Sequence, residues 1–85
     1  MKWEIQWTER ALKDASRLDR QVKERILDTL DRLAEGSHVD VKKLTGEGEE
    51  LRLRVGDWRV RFQFHHGSGV IEVLRVNHRR EAYRR

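Results

Sequence analysis

A chain of 85 residues makes one small domain, and 36% hydrophobic against 40% charged residues implies a thin core with little room for a cofactor pocket. The absence of cysteine excludes disulfides, thiolate chemistry and most structural zinc sites. No apolar run approaches the length of a membrane span, so we expect a cytoplasmic protein with no membrane partner.

The net charge of +4 is distributed unevenly along the chain. Residues 1–51 carry ten Lys and Arg against twelve Asp and Glu, whereas residues 52–85 carry nine against three. All nine cations of the second half are arginine. The guanidinium group is a rigid fork that matches the oxygens of phosphate or carboxylate. The second half is therefore expected to bind an anion.

The first part of the chain predicts one strand and two helices. Apolar and polar residues alternate over residues 3–7, which indicates a strand. Apolar residues at helical spacing follow twice, with Thr8 and Asp19 as N-caps, and Gly36 ends the second helix. The two helices should form a helical hairpin.

A loop and a β-hairpin are predicted next. Residues 37–49 have the composition of a loop. Residues 51–55 and 58–64 alternate in polarity on either side of Gly56-Asp57, which predicts two antiparallel strands around a short turn. The apolar side of this hairpin must meet a core.

The last part predicts a fourth strand and completes the fold. Residues 70–76 are apolar on both faces, as in a central strand, and residues 77–85 form a loop or one helical turn. The order β-α-α-β-β-β predicts an α+β fold for a single domain, residues 1–85. Its N-terminal helical hairpin packs on one face of a small four-stranded, mainly antiparallel sheet.

The polar side of the β-hairpin carries four arginines, which we call the arginine face. They are Arg52, Arg54, Arg59 and Arg61. Like charges on neighbouring strands repel, so this surface requires an anion, which we interpret as an RNA phosphate. An acidic segment of a partner protein is the alternative. The aromatic residues of the hairpin alternate in step with Val60 and so lie on the same side of the strand, which favours core packing over base stacking.

Several motifs in this order are similar to those of a known family. They are Trp-x-Ile-x-Trp-Thr-x-x-Ala-x-Lys at residues 3–13, Lys-Leu-Thr-Gly at 43–46, the arginine strands with Gly-Asp-Trp-Arg at 51–60, and Val-Asn-His-Arg-Arg-Glu-Ala-Tyr at 76–83. Together they resemble the RelE/ParE superfamily of toxins from toxin–antitoxin modules. The resemblance covers essentially the whole chain.

The resemblance implies a function and its partners. The RelE branch cuts mRNA in the ribosomal A site, where the 2′-OH of the RNA attacks the neighbouring phosphate and leaves a 2′,3′-cyclic phosphate. Membership would imply a cognate antitoxin, the ribosome and mRNA as partners. This chemistry needs no metal and no small-molecule cofactor, and the sequence has no convincing set of metal ligands.

The resemblance also suggests site residues. Arg54, Arg59 and Arg79 are candidates for stabilising charge on the phosphoryl group. Proton transfer is left open between Tyr83, whose pKa nearby arginines would lower, and His78. Some relatives have a histidine next to the tyrosine, where this chain has Ala82. The remaining candidates for binding RNA phosphates are Arg52, Arg61, Arg75 and Arg80.

Two other functions compete with the ribonuclease. A toxin of the ParE branch binds and poisons DNA gyrase without cutting nucleic acid, but that branch generally lacks the phosphate-facing arginines and terminal tyrosine. Arg59, Arg79 and Tyr83 therefore favour the ribonuclease. A non-catalytic nucleic-acid-binding module is the third possibility, although no helix-turn-helix or RRM signature supports it.

Overall fold

The structure, a computed structural model, describes residues 2–43 and 50–82. The elements are β1 (Glu4–Trp7), α1 (Glu9–Ser16), α2 (Arg20–Ala34), β2 (Val41–Lys43), β3 (Leu51–Val55), β4 (Trp58–His65), β5 (Val70–His78) and α3 (Arg79–Ala82). The predicted α+β class is confirmed, with a helical hairpin on a mainly antiparallel sheet. No helix in the described ranges is long and apolar enough to span a membrane.

The prediction of four strands is wrong, because the described part of the chain forms five. The additional strand, β2, lies in the predicted loop and pairs antiparallel with β3 through Val41 opposite Leu53. Three residues are too few to show a period of two in the sequence. The sheet order is β1-β5-β4-β3-β2, with β1 parallel to β5 and the other pairs antiparallel.

The helix ends agree with the predicted caps. The Thr8 hydroxyl accepts the Ala11 N–H at 3.1 Å, and the Asp19 carboxylate accepts the Val22 N–H at 2.9 Å. Gly36 has a φ of +85° and follows the last turn of α2. Its N–H and that of Ser37 donate to carbonyls of that turn, which is a Schellman ending.

The core lies between α2 and the sheet. From α2, Ile26 and Leu30 are almost completely buried. The sheet side of the core includes Leu53, Val60, Phe62, Ile71 and Val73, none of which is exposed. Each fully buried side chain of this kind contributes about 1.5–3 kcal/mol. The interpretation of the hairpin aromatics as core residues is confirmed, since Phe62 lies within the core and Trp58 and Phe64 pack against it.

One edge of β5 is completed by the start of the helical hairpin. Pairing with β1 ends at Val73. Beyond this point the Thr8 hydroxyl donates to the Leu74 carbonyl at 3.1 Å, and the Asp14 carboxylate accepts the Val76 N–H at 2.9 Å. These bonds satisfy backbone groups that an open strand edge would leave for water or another chain. They also fix α1 beside the C-terminal half of β5.

Candidate functional site

Strand register brings the arginine face together. Arg52 is opposite Arg61 and Arg54 is opposite Arg59, so the four side chains share one side of the sheet, as predicted. The other side carries Leu53 and Val60 of the core. The hairpin turn holds Gly56 at a φ of +59°, a conformation that favours glycine.

Arg59 is the most enclosed member of the arginine face. Only 7% of the residue is exposed, and Nη1 donates to the carbonyls of Gly56 at 3.0 Å and Trp58 at 2.9 Å. Its Nε and Nη2 bind no other group in the described residues. No buried side-chain nitrogen or oxygen of those residues lacks a partner, so these two nitrogens remain in contact with solvent. Arg59 is thus fixed by one nitrogen and has two donors for an incoming anion.

Arg61, by contrast, is already engaged by a carboxylate. Its Nε donates to Glu50 Oε2 at 2.7 Å and its Nη2 to Glu50 Oε1 at 3.0 Å. This bidentate geometry is the strong form of the arginine–carboxylate pair. Two of the three guanidinium nitrogens of Arg61 are therefore already bound by Glu50.

Arg75 is engaged even more firmly. It lies on the same side as Arg61, and its Nε donates to Asp14 Oδ2 at 2.8 Å. Burial acts to raise the pKa of Asp14, but the hydrogen bonds from Arg75 and the Val76 N–H outweigh it, so the pKa is lowered. The same hydrogen bond raises the pKa of Arg75. Arg75 therefore connects β5 to α1 and is poorly placed to exchange its partner.

Arg54 and Arg79 have weaker partners. Arg54 Nη1 lies 3.9 Å from Asp40 Oδ2, and Arg79 Nη1 lies 3.8 Å from Asp57 Oδ1, with all four side chains well exposed. Exposed pairs at such distances contribute about 0–1 kcal/mol, so both guanidiniums are easily transferred to a phosphate. The backbone N–H of Arg79 donates to the Asp57 carbonyl at 2.7 Å, which fixes α3 beside the hairpin turn.

His78 lies apart from the arginine face. It is opposite Trp58, and the two rings meet edge-on with centroids 5.2 Å apart. Its ring Nδ1 accepts the backbone N–H of Arg80 at 3.3 Å, while the backbone N–H of His78 donates to the Glu81 carboxylate at 3.2 Å. This reciprocal pair caps α3 and leaves the proton of the neutral ring on Nε2.

The other predicted residues are placed as follows. Arg52 is half-buried on β3, and Arg80 is exposed in α3. Tyr83 lies outside the described residues, as do Leu44 and Gly46 of the Lys-Leu-Thr-Gly motif. The structure thus brings Arg52, Arg54, Arg59 and Arg61 together, with Arg79 joined to the same turn through Asp57.

Comparison with known proteins gives the family. Residues 5–83 match the family described as "ParE toxin of type II toxin-antitoxin system, parDE". The chain belongs to this toxin family. The predicted relation to the RelE/ParE superfamily is therefore confirmed. No curated protein matches the sequence significantly.

Solved structures of RelE proteins are similar to this toxin over most of its length. The RelE–RelB complex from Pyrococcus horikoshii is 27% identical, covers 93% of this chain and 97% of its own, and gives a TM-score of 0.75. The intact RelBE complex of E. coli is 26% identical, covers 89% of this chain and 95% of its own, and gives a TM-score of 0.76. The RelBE2 complex of Mycobacterium tuberculosis, 21% identical over 92% and 99%, gives 0.80, which shows the shared fold.

Sequence reasoning missed two polar residues that lie beside the toxin's arginine face. Asn77 is opposite Arg59, and Lys42 is opposite Arg52 at the edge of the sheet. Continuing the alternation of β5 by one residue would have found Asn77. Lys42 lies in the strand that was not predicted. The roles of Glu50 and Asp14 depend on tertiary contacts that have no local signal.

The described part of the toxin contains no group of three or more His, Cys, Asp or Glu that could hold a metal ion. What it does assemble is a set of guanidiniums in different states of engagement. Arg59 is fixed with open donors, Arg54 and Arg79 are loosely paired, and Arg61 and Arg75 are tightly paired.

Proposed function

We propose that this toxin is a metal-independent endoribonuclease that cuts mRNA in the ribosomal A site. The observation that carries the proposal is the state of Arg59, fixed by two carbonyls of the hairpin turn with two nitrogens open. A preorganised cation aimed at a phosphoryl group stabilises the charge that develops in the transition state.

In the proposed reaction the 2′-oxygen of a ribose attacks the adjacent phosphorus and loses its proton to a base. The bond from phosphorus to the 5′-oxygen breaks, and the leaving oxygen takes up a proton. The products are a 2′,3′-cyclic phosphate and a 5′-hydroxyl. Arg59 binds a non-bridging oxygen, while Arg54 and Arg79 exchange their loose carboxylate partners for the same phosphate.

The proton-transfer group is proposed to be Tyr83, with His78 as the alternative. Tyr83 follows α3 directly, and α3 is joined to the hairpin turn by the Arg79 N–H bond to Asp57. His78 has only Nε2 to offer, because Nδ1 caps α3. It is also next to Trp58, on the side away from Arg59. These contacts count against His78, so Tyr83 is preferred in the proposal.

The remaining RNA contacts are assigned to Arg52, Arg61, Arg75 and Arg80. Arg52 and Arg80 are proposed to bind phosphates along the strand, and Arg61 joins them when Glu50 leaves. Arg75 is the least available of the four, since it is held by Asp14. A protein this small positions few parts of an RNA, so the ribosome is proposed to supply the rest of the alignment.

The proposed partners include a cognate antitoxin. The family is that of type II toxin–antitoxin systems, and the similar P. horikoshii and E. coli structures are complexes with RelB. An acidic antitoxin segment over the arginine face would occupy the sites proposed for phosphate.

A second candidate function is supported by the family match itself. The matching family is the ParE toxin, so a toxin that binds gyrase without cutting RNA is the competing proposal. The two proposed functions predict different effects, cleavage of RNA in one case and altered DNA supercoiling in the other. Only the ribonuclease requires the open donors of Arg59, and only the gyrase-binding toxin requires an effect on DNA supercoiling.

Primer extension on an mRNA bound to programmed ribosomes tests the proposal. We expect codon-phased cuts from the wild type, and strongly reduced cutting by Arg54→Ala. Analysis of the 3′ ends of the upstream fragments should show 2′,3′-cyclic phosphates. Arg20→Ala is the matched control, because Arg20 lies on α2 and, among residues 2–43 and 50–82, pairs only with Glu24 on the same helix. Absence of cuts together with inhibition of gyrase supercoiling would replace the ribonuclease by the gyrase-binding toxin.

A further inference from the structure

The hairpin turn that binds Arg59 also borders a pocket on its other side. The pocket has a volume of about 190 Å³ and is lined by Val22, Arg25, Val55, Asp57 and Trp58. It is smaller than the roughly 300–1,000 Å³ of most pockets for drug-sized ligands, so it suits a single ring system. The catalytic proposal uses neither the indole ring of Trp58 nor Arg25.

Gly56 allows Arg25 to approach this pocket closely. A Cβ on Gly56 would lie 3.2 Å from Arg25 Nη2 and 3.3 Å from Nη1, so the guanidinium lies directly against the turn. Arg25 is exposed, and the structure gives it no carboxylate partner within the described residues. Its donors are therefore available to a ligand.

Asp57 and Trp58 form a polar wall and an aromatic wall of the same pocket. Asp57 offers an exposed carboxylate on the turn, paired only loosely with Arg79 at 3.8 Å. Trp58 is half-buried, and the edge contact with His78 fixes its ring. Val22 and Val55 supply apolar walls.

We propose that this pocket binds one nucleobase of an RNA strand whose phosphate lies on the arginine face. The proposal rests on the proposed ribonuclease function. Indole rings stack on any base, a guanidinium donates to base oxygens and ring nitrogens, and a carboxylate accepts from amino or imino groups. A base with both donors and acceptors on its edge matches Asp57 and Arg25 together.

The hairpin turn contributes residues to both sites. Arg59, on the phosphate side, binds the carbonyls of Gly56 and Trp58. Asp57, on the base side, is paired with Arg79, a phosphate candidate. A hydrophobic side chain from a protein partner would fill the valine walls but leave the guanidinium and the carboxylate without partners. A nucleobase satisfies all three kinds of wall.

The direct test follows the indole N–H resonances of the ¹⁵N-labelled protein. The chain has three tryptophans, and Trp58→Phe identifies the signal of interest. The probes are the four ribonucleoside 5′-monophosphates, with ribose 5-phosphate as the control without a base. We expect the Trp58 signal to shift with one or more nucleotides at about 1–10 mM and not with ribose 5-phosphate. If the Trp58 signal shifts with none of the four nucleotides, or shifts equally with ribose 5-phosphate, the proposal is overturned.

Variants of the polar walls test the contacts. Arg25→Gln should weaken the nucleotide that binds best by about tenfold, and Asp57→Asn should change the order of preference among the four bases. Arg20→Gln, on the same helix but outside the pocket, is expected to bind as the wild type does. Equal binding by Arg25→Gln and Arg20→Gln would exclude Arg25 from the site.

Cleavage on ribosomes separates this proposal from the ribonuclease proposal. If both are right, Arg25→Gln changes which bases flank the cuts. Nucleotide shifts at Trp58 with no cleavage would retain the pocket and reject the ribonuclease. Cleavage with Trp58 silent to nucleotides would retain the ribonuclease and reject the pocket.

Discussion

The carboxylate of Asp14 binds the guanidinium of Arg75, 61 positions away in the chain, at 2.8 Å, and it accepts the neighbouring Val76 N–H as well. Asp14→Ala leaves a partly buried cation and a strand-edge N–H without their acceptor. We expect the free energy of unfolding to fall by about 1–3 kcal/mol. Urea denaturation measures it, with Asp31→Ala, an exposed position on α2, as the control. Equal losses in the two variants would contradict a structural role.

The same carboxylate gives stability a pH dependence. Burial acts to raise the pKa of Asp14, but the bonds from Arg75 and Val76 outweigh it and lower the pKa in the folded state. Its stabilisation is therefore present above the unfolded value of about 3.9 and is lost as pH falls through the lower folded pKa. The difference in unfolding free energy between wild type and Asp14→Asn should be constant from about pH 7 to 5 and shrink below about pH 4. A difference unchanged at about pH 3 would assign the effect to packing.

If Arg61 binds RNA as proposed, the carboxylate of Glu50 competes with the phosphate for the same guanidinium. Glu50→Gln removes the bidentate carboxylate and leaves the guanidinium open to a phosphate. We expect tighter binding of single-stranded RNA and a salt dependence of log K that is steeper by about 0.7. Fluorescence anisotropy against salt concentration measures both. Glu24→Gln, which breaks an exposed pair on α2, removes the same charge far from the arginine face and should leave the slope unchanged.

Arg59 tests the charge stabilisation proposed for the reaction. Arg59→Lys retains the positive charge but cannot bind the Gly56 and Trp58 carbonyls while presenting two further donors. The single-turnover rate of cleavage on ribosomes should fall about 10²–10³-fold. Thermal unfolding checks that the variant is folded, and Arg17→Lys, outside the arginine face, serves as the matched control. An unchanged rate would remove Arg59 from the site.

Gly56 and Gly36 both have a left-handed backbone, with φ of +59° and +85°. An added Cβ meets no atom within 4 Å at Gly36, whereas at Gly56 it meets the end of the exposed Arg25 side chain at 3.2 Å. That flexible end can move by a few tenths of an ångström, so Gly56→Ala and Gly36→Ala should each cost about 1 kcal/mol of backbone strain. Adding Arg25→Ala to Gly56→Ala should therefore recover little stability, and a large recovery would show that Arg25 cannot move. Denaturation of the two single variants and the double variant completes the comparison.

Local patterns in the sequence predicted most of the fold. The caps at Thr8 and Asp19, the ending at Gly36 and the period of two in the hairpin are contacts between near neighbours, and all were found. Strand β2 was missed because three residues carry too little periodicity.

The side of the sheet on which each arginine lies could be predicted, but its partner could not. Parity placed Arg59 and Arg61 on the polar side, and the register agrees. The burial of Arg59 arises because the turn folds its carbonyls towards the side chain. The pairs with Glu50 and Asp14 depend on where loops and helices come to lie, which periodicity does not encode.

Because carboxylates are attached to the same chain beside the arginines, they behave as tethered competitors at high effective concentration. Glu50, Asp40 and Asp57 each lie close enough to pair again with their arginine after an anion leaves, with Glu50 the strongest competitor. A free phosphate ion must displace each carboxylate in a separate binding event. When several phosphates are linked in one strand, the second and third displacements of a carboxylate become intramolecular. We therefore expect this surface to bind an anion with several linked charges in preference to small anions such as free phosphate.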